Sequence, residues 1–265
     1  MPREKTGKII KKVRINKKNI VLSFADGEKL EISQEAYTSN YLFVGKELSQ
    51  KDIDQLNKIT SVKKLSEYAL SILSKGHYTE WKMREKLYAK SGDKESVDYV
   101  IKRLKEIDLI DDKAFIEDYL GYAEERGFGK NKIKQELLKK GIFAEEIDKI
   151  HFNETAEKKK AVALIPALEK KYERYSYEQK KRHIYASLLS RGFDHEVANY
   201  ALNKMSNKNE KDEYAKLKID FKKTYDRYKR KYEGRELKEK VINYLRSKGY
   251  RYNDISKLMG ESYDF

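Results

Sequence analysis

Apolar positions alternate near the start of the chain and recur with helical spacing through the rest. Lys8 to Ile15 and Asn19 to Phe24 are rich in β-branched residues, and Lys29 to Ser33 alternates through Leu30 and Ile32. Asp26-Gly27 separates the second run from the third, which is the turn chemistry of a tight hairpin. Residues 1 to about 34 are expected to form a small antiparallel sheet, with everything after them helical. With two prolines and 13 glycines in 265 residues, long stretches lack a breaker, and helix is their default state. Pro166 interrupts Ala161 to Lys171, and it either opens a helix at its first turn or kinks one.

One local pattern recurs. A helix ending in Leu is followed by a few polar residues, a glycine, an aromatic or aliphatic residue, and a new amphipathic segment. The instances are Ile133 to Ile142, His183 to Phe193 and Lys240 to Tyr250, with a looser copy at Met83 to Gly92. The glycines at 92, 141, 192 and 249 are separated by 49, 51 and 57 residues. That spacing fits a unit of three short helices, and such periodicity means an array of stacked repeats. Each glycine is expected just past a helix end, as a C-cap carrying architecture rather than chemistry. Glu145 to Ile150, His195 to Ala201 and Asn253 to Met259 would close the units. The expected division is an extension (1–60) followed by four repeats at 61–112, 113–153, 154–207 and 208–265. The expected fold is mainly α: tandem three-helix repeats in a curved, elongated array with a small N-terminal β-rich extension.

Composition narrows the chemistry. The chain has no cysteine, which removes disulfides, zinc knuckles, iron–sulfur clusters and thiol nucleophiles and suits a reducing cytosol. A mean hydropathy of -0.90 with 39% charged residues leaves no membrane-spanning stretch, and the first ten residues carry no apolar signal core. The expectation is a soluble, cytoplasmic protein. Lys and Arg number 59 against 44 Asp and Glu, a net +15, which favours a polyanion or an acidic protein surface as partner. The excess is larger in the C-terminal half, where residues 151–265 hold 28 basic and 18 acidic side chains. Tyr contributes 21 residues, and its amphipathic ring suits helical layers that are only partly covered.

Residues 69–143 carry a resemblance. They contain Ala69-Leu-Ser-Ile-Leu-Ser74, Thr79-Glu-Trp-Lys-Met-Arg-Glu-Lys-Leu87, Leu109-Ile-Asp-Asp112 followed by Phe115, and Arg126-Gly-Phe-Gly-Lys-Asn-Lys-Ile-Lys-Gln-Glu-Leu-Leu-Lys-Lys-Gly-Ile142. In this order the segments resemble the RecX family, regulators of the RecA recombinase, with the likeness extending more weakly to about residue 260. The resemblance implies a curved body of three-helix repeats that lies in the groove of the RecA filament on DNA. There it would modulate, usually inhibit, ATP hydrolysis, strand exchange and coprotease activity in recombination, repair and the SOS response. Compact family members are understood to carry three repeats, so the fourth repeat and the β-rich extension are departures.

No catalytic constellation competes with this. Asp111 and Asp112 precede a helix and suit N-capping, while a metal or acid–base pair would need a further ligand that the sequence does not offer. Arg126-Gly-Phe-Gly-Lys-Asn-Lys lacks phosphate-loop spacing; it is either a solvated turn or a helix start where backbone N–H groups, Arg126, Lys130 and Lys132 hold a phosphate. Histidines 77, 151, 183 and 195 show no ligand spacing, and no nucleophile elbow is present. No enzyme activity and no cofactor or metal are expected, though a site assembled from distant residues stays open. Residues 216–231 carry eight basic side chains, while Leu217, Phe221, Tyr225, Tyr228 and Tyr232 form one helical stripe, read as core rather than as a base-stacking platform.

Candidate contacts to DNA or RecA are Arg126, Lys130, Lys132, Arg182, Arg191, Lys222, Arg227, Lys229 and Arg230, chosen on charge and position alone. The expected partners are the RecA filament and the DNA within it, single-stranded, with no membrane and a monomeric state suited to a groove. Two alternatives stand beside this: a stand-alone DNA-binding helical module, given the likeness of a three-helix unit with a basic turn to helix-turn-helix geometry, and a purely structural adaptor.

Overall fold

A computed structural model describes residues 7–91 and 93–262. Gly92 and residues 1–6, assigned above to a helix end and to the start of the sheet, lie outside the described residues. The described chain is mainly helical with a small N-terminal sheet, and it divides into two compact units. The first comprises residues up to Asp118 together with Lys139–Phe143; the second comprises Tyr119–Leu138 and the chain from Ala144 onward.

In the first unit, β1 (Lys8–Ile15), β2 (Ile20–Phe24), β3 (Lys29–Ile32) and β4 (Glu47–Leu48) form an antiparallel sheet of order β3-β2-β1-β4. The β2–β3 turn falls at Asp26-Gly27, as expected. Strand β4 corrects the expectation that everything past residue 34 is helical. Two residues carry no readable period, and β4 exists because Leu48 and Glu47 pair with Lys8 and Ile9. Helix α1 (Gln34–Ser39) precedes β4 and α2 (Gln50–Leu73) follows it, opened by a capping box between Ser49 and Asp52.

Helix α2 serves two cores. Its first half gives Ile53 and Leu56 to the sheet core of Ile10, Leu22, Phe24 and Ile32. Its second half gives Leu65, Ala69 and Ile72 to a helical core. Between them the buried Thr60 hydroxyl accepts the Ser33 N–H at 3.1 Å, so sheet and helix are joined by a hydrogen bond as well as by packing. The helical core is completed by α3 (Glu80–Lys90) and α4 (Lys94–Glu106). On α4, Val97, Val100, Ile101 and Leu104 recur at intervals of three and four and bury one stripe.

The remaining helices follow the same grouping: α5 (Asp112–Glu125), α6 (Lys130–Lys139) and α7 (Ala144–Asp148), then α8 (Glu154–Lys171), α9 (Tyr177–Ser190) and α10 (His195–Leu202), then α11 (Glu210–Tyr228), α12 (Gly234–Ser247) and α13 (Tyr252–Ser262). In the second unit, α8–α10 bury Ala161, Ile165, Ile184, Leu188, Val197 and Ala198. Helices α11–α13 bury Leu217, Phe221, Val241, Leu245, Ile255 and Leu258. Burying a side chain of the size of Phe221 contributes roughly 1.5–3 kcal/mol. Tyr225, Tyr228 and Tyr232 pack half-buried against this core, so the aromatic stripe of α11 is structural. Pro166 neither opens α8 nor ends it; it sits exposed inside the helix, where its missing N–H costs one backbone bond.

Candidate functional site

Three quasi-equivalent joints organise the helix ends. At each, the start of a unit's middle helix meets the glycine turn that ends the middle helix of the next unit. Thr79 Oγ1 donates to the Lys140 carbonyl at 2.5 Å, Gly129 N–H donates to the Arg191 carbonyl at 2.8 Å, and Ser176 Oγ donates to the Lys248 carbonyl. The accepting carbonyls belong to the residues just before Gly141, Gly192 and Gly249. A carboxylate then accepts the first N–H of the middle helix: Asp112 from Glu80 at 2.8 Å, Glu157 from Lys130 at 2.9 Å, and Glu213 from Tyr177 at 2.9 Å. A helix N-terminus presents unpaired N–H groups and partial positive charge, so a carboxylate satisfies both.

The glycines therefore do more than cap. A Cβ on Gly192 would lie 2.3 Å from the Lys132 backbone nitrogen, one on Gly141 within 2.4 Å of Trp81, and one on Gly249 within 2.5 Å of Glu178. Side-chain-free backbone is what lets one three-helix group approach the next at these turns. Asp111 caps its own helix, accepting from Lys113 at 2.8 Å and Ala114 at 3.2 Å, while its neighbour Asp112 caps α3. Glu157 and Glu213 were not singled out from the sequence. The available signal was the recurrence of Asn-Glu-x-x-Glu at Asn153 to Glu157 and Asn209 to Glu213, where the Asn caps the helix and the second Glu turns to the joint.

Four candidate residues gather at the middle joint. Lys130 Nζ pairs with Asp194 at 2.7 Å; that hydrogen bond holds the lysine pKa above and the aspartate pKa below their ordinary values. Arg191 Nη1 donates to the Arg126 carbonyl at 2.9 Å. These two side chains are engaged in holding the joint. Arg126 lies over the Tyr122 ring at 5.4 Å and Lys132 over Phe128 at 4.0 Å, and neither forms an ion pair with any described residue. The backbone part of the anion-site expectation does not hold: the N–H groups of Gly129, Lys130 and Asn131 already donate to Arg191, Glu157 and Gly192. Beneath them, Lys160 bonds Glu124 at 2.6 Å and Glu157 at 3.0 Å. Burial works against its charge, but the two glutamates outweigh burial and raise its pKa.

Arg182 stands at the last joint instead, reaching the Ser247 carbonyl at 3.3 Å. Lys222, Arg227, Lys229 and Arg230 form a second exposed group on and just past α11. Lys229 pairs with Asp226 at 2.6 Å, and that bond, with Lys222 and Arg230 adding their fields, holds the Asp226 carboxyl below its ordinary pKa. Arg227 lies over Tyr228 at 5.5 Å. One acid thus faces several cations, leaving the group net positive. Among the described residues no set of three His, Asp or Glu side chains is arranged to hold a metal ion, and no helix is long and apolar enough to cross a membrane.

Jointed three-helix groups carrying exposed basic side chains define a helical repeat protein. A family model described as the second three-helix domain of RecX matches residues 111–149. Regulatory protein RecX of Lactococcus lactis subsp. lactis is 30% identical over 262 residues, covering 96% of this chain and 97% of that one. Regulatory protein RecX of Clostridium beijerinckii is 34% identical over 206 residues, covering 73% and 94%. The crystal structure of a regulatory protein RecX superposes with a TM-score of 0.58 at 23% identity, covering 74% of this chain and 99% of that chain, a likeness of fold. The chain belongs to the RecX family, whose members are named regulatory proteins. The match to the Lactococcus relative runs over nearly the whole length of both chains.

Proposed function

We propose that this protein regulates the RecA recombinase by binding, as a monomer in the cytoplasm, along the filament that RecA forms on single-stranded DNA. Bound there it inhibits ATP hydrolysis, strand exchange and coprotease activity, and so acts in recombination, DNA repair and the SOS response. The observation that carries this reading is membership of the RecX family over nearly the whole chain. A net charge of +15 adds attraction to phosphates or to acidic protein surface, and that attraction weakens with salt. An extension (1–60) followed by repeats at 61–112, 113–153, 154–207 and 208–265 is the organisation we assign; repeated units can follow a helical groove and meet successive subunits.

Of the candidate contacts, Arg126, Lys132, Lys222, Arg227, Lys229 and Arg230 are assigned to the partner, because their side chains are exposed or lie over rings. Lys130, Arg182 and Arg191 are assigned first to the joints they bridge. The test is binding to RecA filaments and to bare DNA across a salt series, with Lys222, Arg227, Lys229 and Arg230 all changed to Gln. Weaker filament binding is expected, with the log–log salt slope shallower by about 0.7 for each single-strand phosphate that is no longer neutralised. An unchanged affinity at low salt in a folded variant removes this surface from the interface. Tight salt-dependent binding to bare DNA with none to the filament would favour the stand-alone DNA-binding module.

A further inference from the structure

The N-terminal sheet has an edge that the filament reading leaves unused. Strand β1 pairs with β2 from Ile10 to Ile15, with a break in register at Lys11, but on its other side β4 reaches only Lys8 and Ile9. The loop before β4 extends that cover to Ile10, whose N–H donates to Lys46 O at 3.0 Å and whose carbonyl accepts from Gly45 N–H at 2.8 Å. Among the described residues nothing pairs with this side beyond Ile10. Asn16 N–H donates to Asn19 across the hairpin at 2.9 Å. The two-residue alternation of an antiparallel ladder then turns Arg14 and Lys12 toward β2 and leaves the backbone groups of Val13 and Ile15 facing the open side.

Charge and apolar exposure converge on the same edge. From Lys8 to Asn19 the chain has six basic residues and no acidic one. Lys8 is paired with Asp26 and Glu28, while Lys11, Lys12, Arg14, Lys17 and Lys18 are exposed and form no ion pair with any described residue. Phe43 and Val44, 60% and 59% exposed, precede the Gly45 that bonds Ile10, so they stand at the head of the open stretch; Ile15, 67% exposed, stands at its foot. The loop at the head is held in shape, with Lys46 Nζ reaching Asn40 O at 2.7 Å and Tyr41 O at 3.4 Å.

We propose that the open edge of β1 from Lys11 to Ile15 is a docking site for an extended acidic segment of a partner protein, which adds beside β1 as a further strand. Unpaired main-chain groups supply the register, alternating basic side chains select acidic residues, and the apolar ends take apolar flanks. A second copy of this chain would bring the same lysines opposite these, and edge lysines oppose such self-pairing. A nucleic acid would use the charge but not the open backbone ladder. This site does not depend on the filament reading.

The experiment titrates full-length protein into a labelled peptide of about eight alternating Glu and Val residues, a common strand length, and follows fluorescence anisotropy. A second peptide is N-methylated at its central residues, which removes strand donors and keeps the charge. Binding of the first is expected, weakened about tenfold by N-methylation through the loss of one or two hydrogen bonds. Lys12→Glu with Arg14→Glu is expected to weaken it similarly, and oligothymidylate of equal charge is expected not to displace the peptide. No binding, or equal binding of the N-methylated peptide, overturns strand addition without reference to the folding of any variant. Displacement by oligothymidylate overturns the protein partner and assigns the edge to nucleic acid.

Discussion

Gly192 is the residue at which one added methyl group tests the joints most sharply. Its φ is +89°, and a Cβ would meet the Lys132 backbone at 2.3 Å, where neither side can yield as a flexible side chain would. Gly234 also has positive φ, at +51°, yet a Cβ there meets nothing within 4 Å. Gly234→Ala should therefore cost about 1–2 kcal/mol, the backbone penalty alone. Gly192→Ala also disrupts the close approach and should cost at least about 1 kcal/mol more, since hydrogen bonds across the joint are strained or broken. Urea unfolding measures both, and equal losses would mean that Gly192 only caps its helix. Glu213 offers a second residue-scale test. Burial holds its carboxyl above the usual glutamate range, although the Tyr177 N–H and nearby lysines pull the other way. The folded chain then binds this proton more tightly than the unfolded chain does, so the residue's contribution to stability falls as pH rises through the raised value. Glu213→Gln removes the titration while keeping an acceptor. The wild-type Tm should fall relative to the variant's from acid toward neutral pH, and parallel curves would contradict the assignment.

Among the elements, α2 does the work that the sequence division at residue 60 does not reveal. It runs unbroken from Gln50 to Leu73, and Thr60 in its middle satisfies the buried Ser33 N–H. Thr60→Val keeps the shape and strands that donor, so a loss of about 1–3 kcal/mol is expected in denaturant unfolding. A neutral result would mean that apolar packing alone joins sheet and helix. The hairpin at Asp26-Gly27 and the helical stripes were legible, because turn chemistry and period are local properties. The aromatic stripe of α11 was legible as core for the same reason. Strand β4 was not, since two residues have no period, and α2's double duty was not, since an amphipathic pattern does not say which core each turn faces. The joints were half legible: the glycines announced themselves by spacing, whereas the carboxylates that clip the helix starts act across 27 to 36 residues of sequence.

Across the molecule, the joints and the basic patches divide the charged residues into two kinds. Lys130, Arg191, Lys160, Glu157 and Asp194 hold the joint between successive three-helix groups, while Arg126, Lys132 and the α11 group, the proposed partner contacts, are exposed or lie over rings. Charge counts alone do not tell which basic side chains also bridge a joint, as Lys130, Arg182 and Arg191 do. If the array acts on the RecA filament, its effect must appear in the recombinase's own turnover. The decisive experiment is ATP hydrolysis by the cognate RecA on single-stranded DNA, with this protein titrated substoichiometrically before and after filaments form. Inhibition at these low ratios is the predicted result. Unchanged hydrolysis at every ratio, with binding to bare DNA retained, would contradict it.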